Sequence, residues 1–205
     1  MRSQKTKGIL GRPRGFNTEK ALDCAMHVFW RKGYVATTLV DLTAAMGINR
    51  PSFYAAFGNK EALFRRALDR YFAGPSRYLE DALREATARA TVEHLLRAIV
   101  NMLTNPRTPS TCMWVHGALS CGDDPLQAEF DSQRAAGHTA LCARFQRAVI
   151  EGDLPKDTDT DALARFIQTV NFGLTVQAST GATRNQLLRV VENVLLAWPT
   201  LSGTQ

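Results

Sequence analysis

Four neighbouring residues in the first third of the chain have side chains suited to contact DNA. Arg50, Ser52 and Tyr54 alternate with two phenylalanines at helical spacing, so they point away from an apolar helix face. An arginine can bind a guanine edge or a phosphate, a serine can reach either, and a tyrosine hydroxyl suits a phosphate. Pro51 offers an apolar surface to a thymine methyl group. The pattern predicts a helix that contacts DNA.

Two short helices joined by a tight turn would position these side chains. Thr38 can cap the first helix and Asn49 the second, because each side chain has an oxygen that accepts a backbone N–H. Gly47 fits the left-handed position that ends the first helix, and Pro51 suits the first turn of the second. The spacing predicts a helix-turn-helix over residues 38–57. The alternative is a short helical hairpin in an all-helical protein.

The surrounding residues carry a resemblance to a known family. Residues 12–72 resemble, nearly position by position and without a gap, the DNA-binding domain of the TetR family of bacterial transcription regulators. The matching segments are ALDCAMHVFWRKGY for the first helix, TTLVDLTAAMGI for the second, NRPSFYAAF for the recognition helix and NKEALF at the start of the fourth.

The resemblance implies an all-α fold with two domains. A helix-turn-helix DNA-binding domain at 17–73 follows a flexible arm at 1–16, and Gly74-Pro75 marks a hinge. Residues 74–205 are then a helical domain for effector binding and dimerisation. The resemblance further implies a dimeric regulator, most often a repressor that a small molecule releases from a palindromic operator.

The basic arm and two helix starts add candidate DNA contacts. Arg12 and Arg14 can follow a minor groove or phosphates. The alternative is a tail that adds only salt-dependent, non-specific affinity. The full predicted set is Arg12, Arg14, Thr37, Thr38, Arg50, Pro51, Ser52, Tyr54 and Lys60.

Charge and composition agree with a DNA-binding protein. Residues 1–72 hold 13 Lys and Arg against 5 Asp and Glu, and residues 73–205 hold 12 against 14, which together give the net charge of +6. A basic head on a mildly acidic body is typical of a DNA-binding head. No apolar run approaches the roughly 20 residues of a membrane span, and the basic start lacks the apolar core of a secretory signal. We expect a cytoplasmic protein with reduced cysteines and no membrane partner.

Cys112 is a candidate reactive thiol. The segment TCMWVHGALSCGDDPLQAEF resembles a TetR subgroup with Gly-Cys-Leu/Met at this helix start, although Thr111 replaces the glycine. A helix N-terminus can stabilise a thiolate that attacks electrophiles. Cys121 could resolve it only if the chain shifts, because nine helical residues span about 13 Å. The alternative is an inert, buried Cys112.

The middle helices should enclose an effector cavity, and the last two helices should form the dimer seam. Helices at 159–180 and 184–198 are apolar on two sides, which requires two partners. The alternative is an ordinary core within one chain. Predicted pocket residues, each of which also suits a plain core, are Met102, Cys112, Trp114, His116, Phe130, Phe145 and Phe166. Predicted dimer-seam residues are Phe172, Leu174, Leu187, Val191, Val194, Leu195 and Trp198.

Three other readings compete with a regulator. Cys112 with His116, and His138 with Cys142, are helical i, i+4 pairs that could supply metal ligands. Such pairs arise readily by chance, so we expect no metal and no cofactor. A redox enzyme using Cys112 and Cys121 would not need a basic arm before a recognition helix. An architectural DNA binder would show no sequence preference. The expected partners are double-stranded operator DNA, a second copy and a small-molecule effector.

Overall fold

The computed structural model describes residues 16–113 and 126–201 of the chain. All regular secondary structure in these two ranges is α-helical, which confirms the all-α fold. The helices, numbered in chain order, are α1 (Thr18–Ala36), α2 (Leu39–Met46), α3 (Arg50–Phe57), α4 (Lys60–Ala73), α5 (Tyr78–Ala82), α6 (Ala88–Leu103), α7 (Gln127–Glu151), α8 (Thr160–Ser179) and α9 (Arg184–Leu201).

Side-chain caps define the helix-turn-helix as the sequence predicts. Thr38 and Asp41 form a reciprocal capping box at the start of α2, and Gly47 ends α2 with a φ of 64°. The Asn49 side chain accepts the backbone N–H of Ser52 at 2.9 Å and begins α3. Because Lys32 and Thr38 donate hydrogen bonds to Asp41, the pKa of that carboxyl falls to about 2.

Backbone breaks shape the ends of two helices. Gly33, at a φ of 74°, interrupts α1, but one more turn follows before α1 ends at Ala36. Beyond the hinge, α5 is only five residues long. The chain then turns so that the Thr87 side chain accepts the backbone N–H of Ala90 and begins α6.

Aromatic side chains fill the core of the head, which comprises α1 to α4. Phe29 meets Phe64 edge-on at 4.9 Å between ring centroids, and Trp30 meets Tyr71 in the same way at 4.9 Å. These contacts join α1 to α4. Both α2 and α3 lie against this pair, and α3 contributes the fully buried Phe53.

Residues from beyond the hinge complete this core. Cys112, Met113, Leu126 and Phe130 belong to the same buried cluster as the aromatic residues of the head. The indole N–H of Trp30 also donates to the backbone carbonyl of Thr111 at 2.6 Å. The core of the head therefore extends past the expected boundary at Gly74, and the domain limits stay predictions.

The body forms a second buried cluster from α5 to α9. Helix α6 packs against α5, α8 and α9, and α7 packs against α8. The centre holds Leu96, Ile99 and Phe145, and Phe145 lies 6.1 Å from Trp198 of α9 between ring centroids. Leu141 and Ala148 of α7 contribute to the same cluster.

Most of the predicted dimer-seam residues are buried within a single chain, and their place in a dimer seam stays a prediction. Phe172 is half-buried, lies against the core of the head and lines a cavity. Hydrophobic spacing identified the buried face of each helix but not the chain that covers it. The outer faces of α8 and α9 instead expose Phe166, Val176, Val190 and Leu196. Members of the predicted set inside the core of the body are Leu174, Leu187, Val191, Val194, Leu195 and Trp198.

Two adjacent leucines in α9 test which face of the helix binds a second copy and which face forms the core of the chain. Leu196 is 74% exposed, so Leu196→Glu is expected to keep the helical circular dichroism spectrum while shifting a dimer towards monomer in sedimentation. Leu195 is 5% exposed, so Leu195→Glu should lower the free energy of unfolding by roughly 3 kcal/mol or more, because it buries an unpaired carboxylate. A folded dimer in Leu196→Glu would show that this face is not the dimer surface.

Candidate DNA interface and effector cavity

Helix α3 presents the predicted DNA-contacting side chains to solvent. Arg50 and Pro51 are exposed, Ser52 is half-buried, and Tyr54 is 50% exposed. The Tyr54 ring lies 5.4 Å from the buried Phe53 ring, edge to face, so packing orients the tyrosine outward. The exposure agrees with the prediction, and the DNA contacts themselves stay predictions.

Lys60 and Thr37 are engaged within the head. The Lys60 ammonium donates to the backbone carbonyls of Tyr34 and Thr37, each at 3.0 Å, and lies 4.2 Å from the centroid of the Tyr34 ring. It therefore fixes the end of α1, a role that the predicted DNA contact of Lys60 did not include. The Thr37 hydroxyl donates to the Gly33 carbonyl at 2.6 Å, and Thr37 is 1% exposed. The break at Gly33 turns this side chain inward, and the DNA contact of Thr37 stays a prediction.

The remaining predicted contacts lie on either side of α3. Thr38 is exposed at the start of α2, although its hydroxyl also donates to Asp41 at 2.9 Å as part of the cap. Arg12 and Arg14 lie outside the described residues. The described exposed candidates are therefore Thr38, Arg50, Pro51 and Tyr54, with Ser52 half-buried beside them.

A cavity of about 270 Å³ lies in the body next to the end of α4. Its lining comes from the end of α4, from α5 and the turn before it, and from α6, α7 and α8. A mainly apolar wall with a few polar groups suits a small organic molecule. Its apolar wall includes Phe72, Leu79, Leu83, Leu95, Leu141, Ile167 and Phe172. Its polar groups include Arg77, Tyr78, Glu80, Gln133, Gln168 and Asn171.

The predicted pocket residues do not line this cavity. Cys112 and Phe130 are buried in the core of the head, and Met102 is partly buried against both cores. Phe145 lies in the core of the body, whereas Phe166 is 41% exposed on α8. None of these five residues lines this cavity, and their role in effector binding stays a prediction. The other two, Trp114 and His116, lie outside the described residues.

Two tyrosines connect Cys112 with the cavity. The Tyr71 hydroxyl lies 3.3 Å from the Cys112 sulfur and donates to the Met102 sulfur at 3.7 Å. Tyr78 lies on the cavity wall, and its hydroxyl is within hydrogen-bond reach of Cys112. Burial, with Cys112 nearby, raises the pKa of Tyr71 and of Tyr78 well above the usual tyrosine range. Both phenols therefore stay protonated and able to donate.

Known proteins resemble this chain over nearly its full length. The family described as bacterial regulatory proteins, tetR family, matches residues 21–67. The HTH-type transcriptional repressor ComR of Escherichia coli (strain K12) is 33% identical over 207 residues, which cover 97% of each chain. The repressor BdcR of the same strain is 41% identical over 189 residues and 91% of each chain. The chain belongs to the TetR family.

A solved TetR-family structure agrees in both sequence and fold. It is a cysteine mutant of the regulator CifR in complex with 26-base-pair double-stranded operator DNA. CifR is 41% identical to this chain, and the match covers 92% of this chain and 100% of CifR with a TM-score of 0.85.

Family membership decides between the functions that the sequence left open. This TetR-family chain is a DNA-binding transcription regulator and not an enzyme, so the redox-enzyme alternative is wrong. Regulators of the family act as dimers and respond to small-molecule effectors. No described helix combines the length and apolar character needed to cross a membrane. The finer resemblance around Cys112 stays a prediction.

Sequence reasoning missed the cavity of this TetR-family chain because its lining carries no periodic signal. Gly137 and Ala140 open space by being small, and Gln168 and Asn171 are polar residues within α8. Tyr78 was missed because it begins the short helix α5, and the sequence pattern does not show that this helix lies near Cys112. Of the large aromatic residues expected in the pocket, Phe130 and Phe145 lie in the two cores instead.

Lys60 offers a test of its role within the head. Lys60→Gln removes a charged donor from two backbone carbonyls, so the free energy of unfolding is expected to fall by about 1–3 kcal/mol in urea titrations. Lys20→Gln changes an exposed lysine of α1 and should have an effect below about 0.5 kcal/mol. Unchanged stability in Lys60→Gln together with weaker DNA binding would assign Lys60 to phosphate contact instead.

Proposed function

We propose that this chain is a dimeric repressor that leaves a palindromic operator when a small molecule occupies the cavity. The observation that carries the proposal is the position of that cavity. Phe72 in the last turn of α4 and Ser76 just beyond it form part of its wall, so a ligand would touch the final helix of the head. The relatives ComR and BdcR are both named transcriptional repressors, which supports the direction of control.

Helix α3 of each protomer reads the operator in this proposal. Arg50 contacts a base edge, and Tyr54 contacts a phosphate, with Pro51 and Ser52 beside them. Thr38 at the start of α2, and the arm with Arg12 and Arg14, add backbone or minor-groove contacts. The complex of CifR with operator DNA supports this arrangement, because the match covers 92% of this chain and 100% of the CifR chain.

A direct contact between α4 and α7 transmits ligand binding to the head. The Phe64 and Phe130 rings lie 5.9 Å apart, and the Arg65 guanidinium pairs with Glu129 at 2.6 Å. Farther along α7, Gly137 lines the cavity. A ligand that shifts α7 would therefore shift α4 and change the separation of the two α3 helices. The separation of the two α3 helices would then no longer match the half-site spacing, which the DNA helix fixes.

The outer faces of α8 and α9 form the dimer surface in this proposal. Val176 of α8 and Val190 of α9 are exposed there, and Gly173 of α8 is exposed too, where an added Cβ would meet no atom within 4 Å. An exposed apolar stripe with a glycine allows close approach of a second copy.

A protein that binds chromosomal DNA in this way works in the cytoplasm, where we place it.

Cys112 acts as the sensing nucleophile for electrophilic effectors. Tyr78 stays protonated and can donate a hydrogen bond to its thiolate, and the single Tyr71 hydroxyl proton can turn from the Met102 sulfur to the same thiolate. Such hydrogen bonds lower the cost of ionisation in a buried site. With a quinone, the sulfur forms a bond to a ring carbon, and the displaced π-electron pair ends on the carbonyl oxygen, which takes up a proton.

Two substitutions in α3 separate specificity from general affinity. Arg50→Ala is expected to cost about 1–3 kcal/mol of operator binding and to relax preference at one base pair. Tyr54→Phe should weaken all sequences to the same extent, because a phosphate contact carries no sequence information. Fluorescence anisotropy with operator and random duplexes at one salt concentration measures both effects.

One control variant and two contrary outcomes complete the test of the α3 substitutions. Lys156→Ala removes an equal charge from an exposed loop of the body and should leave binding unchanged. Uniform weakening by Arg50→Ala would move that residue to a phosphate. Equal wild-type affinity for operator and random DNA would contradict a sequence-reading regulator and favour an architectural binder.

Treatment with a thiol-reactive quinone tests the sensing thiol. The quinone is expected to release the protein from the DNA upstream of its own gene, with one adduct on Cys112 by mass spectrometry. Cys112→Ser should stay bound, whereas Cys24→Ser, which changes an exposed cysteine of α1, should respond as wild type. Tight binding untouched by the quinone would make Cys112 structural and leave the cavity to non-covalent ligands.

A further inference from the structure

Three potential metal ligands meet where α7 packs against α8. The His138 Nε2 lies 2.7 Å from Asp161 Oδ1 and 3.4 Å from the Cys142 sulfur. The three potential ligand atoms all lie within 4.8 Å of one another. The sequence pairs His138 with Cys142 on one helix face, but Asp161 joins them only through the packing of the two helices.

A fourth residue orients the imidazole. The His138 Nδ1 lies 3.0 Å from the side-chain oxygen of Gln168, so each ring nitrogen faces an oxygen acceptor. A neutral imidazole carries only one N–H. With Gln168 accepting that N–H, the Nε2 lone pair faces Asp161 and Cys142, which is the side on which a cation would bind. Metal-binding histidines typically donate their other N–H to such an outer acceptor, which fixes the tautomer.

We infer that His138, Cys142 and Asp161 bind a divalent cation of the Zn²⁺ type. Imidazole nitrogen, thiolate sulfur and carboxylate oxygen are all zinc ligands, and three of them leave one position for water or a small molecule. Asp161 binds Arg165 through Oδ2 at 3.1 Å, which leaves Oδ1 for the ion. The thiol of Cys142 transfers its proton to solvent when the sulfur–metal bond forms. Asp161 is exposed, so its carboxylate can turn to open space for the ion.

An ion bound at this cluster would affect how α7 and α8 pack beside the cavity. Gly137 and Leu141, next to two of the ligands in α7, line the cavity, and so does Gln168 of α8. A bound ion would hold α7 and α8 together along one side of that cavity. Because α7 also carries Glu129, the partner of Arg65 in α4, metal occupancy would set the starting position of the helix that contacts the head.

Titration of the full chain with Co²⁺, a spectroscopic substitute for Zn²⁺, tests the site. We expect one Co²⁺ per chain, with a thiolate-to-cobalt charge-transfer band that Zn²⁺ abolishes by displacement. Cys142→Ser should remove the band, and His138→Ala should weaken Co²⁺ binding about tenfold or more. Cys24→Ser and Cys112→Ser should keep the band, because neither residue belongs to the cluster.

A second variant and a second measurement keep the test decisive if one protein folds poorly. Asp161→Asn changes an exposed side chain and should weaken Co²⁺ binding with its helical circular dichroism spectrum intact. Zn²⁺ should raise the melting temperature of wild type and not that of Asp161→Asn. A band that survives Cys142→Ser, or one that never forms, would reduce the cluster to an ion pair. Neither measurement uses DNA, so the outcome is independent of the proposed repressor function.

Discussion

The contact between the aromatic core of the head and residues beyond the hinge constrains the whole molecule. Phe130 packs against Phe64, Trp30 donates to the Thr111 carbonyl, and Cys112 lies against Tyr71. The head therefore does not bury its own aromatic side chains with its first four helices alone. Any rearrangement around α7 must repack that core, because close-packed interiors shift between discrete arrangements rather than deform gradually.

This constraint explains why one cysteine can matter to a protein that reads DNA. Cys112 is 3% exposed, yet it lies between a tyrosine of the core of the head and a tyrosine of the cavity wall. Enlarging its side chain would displace Tyr71, and through it the end of α4. The same residue is thus a packing group and a candidate sensor, and the two roles use one set of contacts.

The sequence predicted local structure well and partners of buried faces poorly. Caps at Thr38 and Asn49 and the break at Gly47 depend on neighbouring residues alone, so the pattern was sufficient for the helix-turn-helix. Leu195 shows the limit, because an apolar stripe requires a neighbour without stating whether that neighbour is the same chain or a second copy. Thr37 shows another limit, since its inward turn depends on the backbone angle of Gly33.

The separation between α3 and the cavity has a consequence for how such regulators diverge. Arg50 and Tyr54 are exposed and add little to the packing of the head. The cavity, in contrast, is lined by Leu95, Leu141 and Ile167, which also belong to the core of the body. Under the proposed reading of the operator by α3, a duplicated gene can therefore acquire a new operator through substitutions at a few surface positions. A new ligand requires compensating substitutions, because each change to the cavity also alters folding. Operator preference should diversify faster than chemical response among descendants of one ancestor.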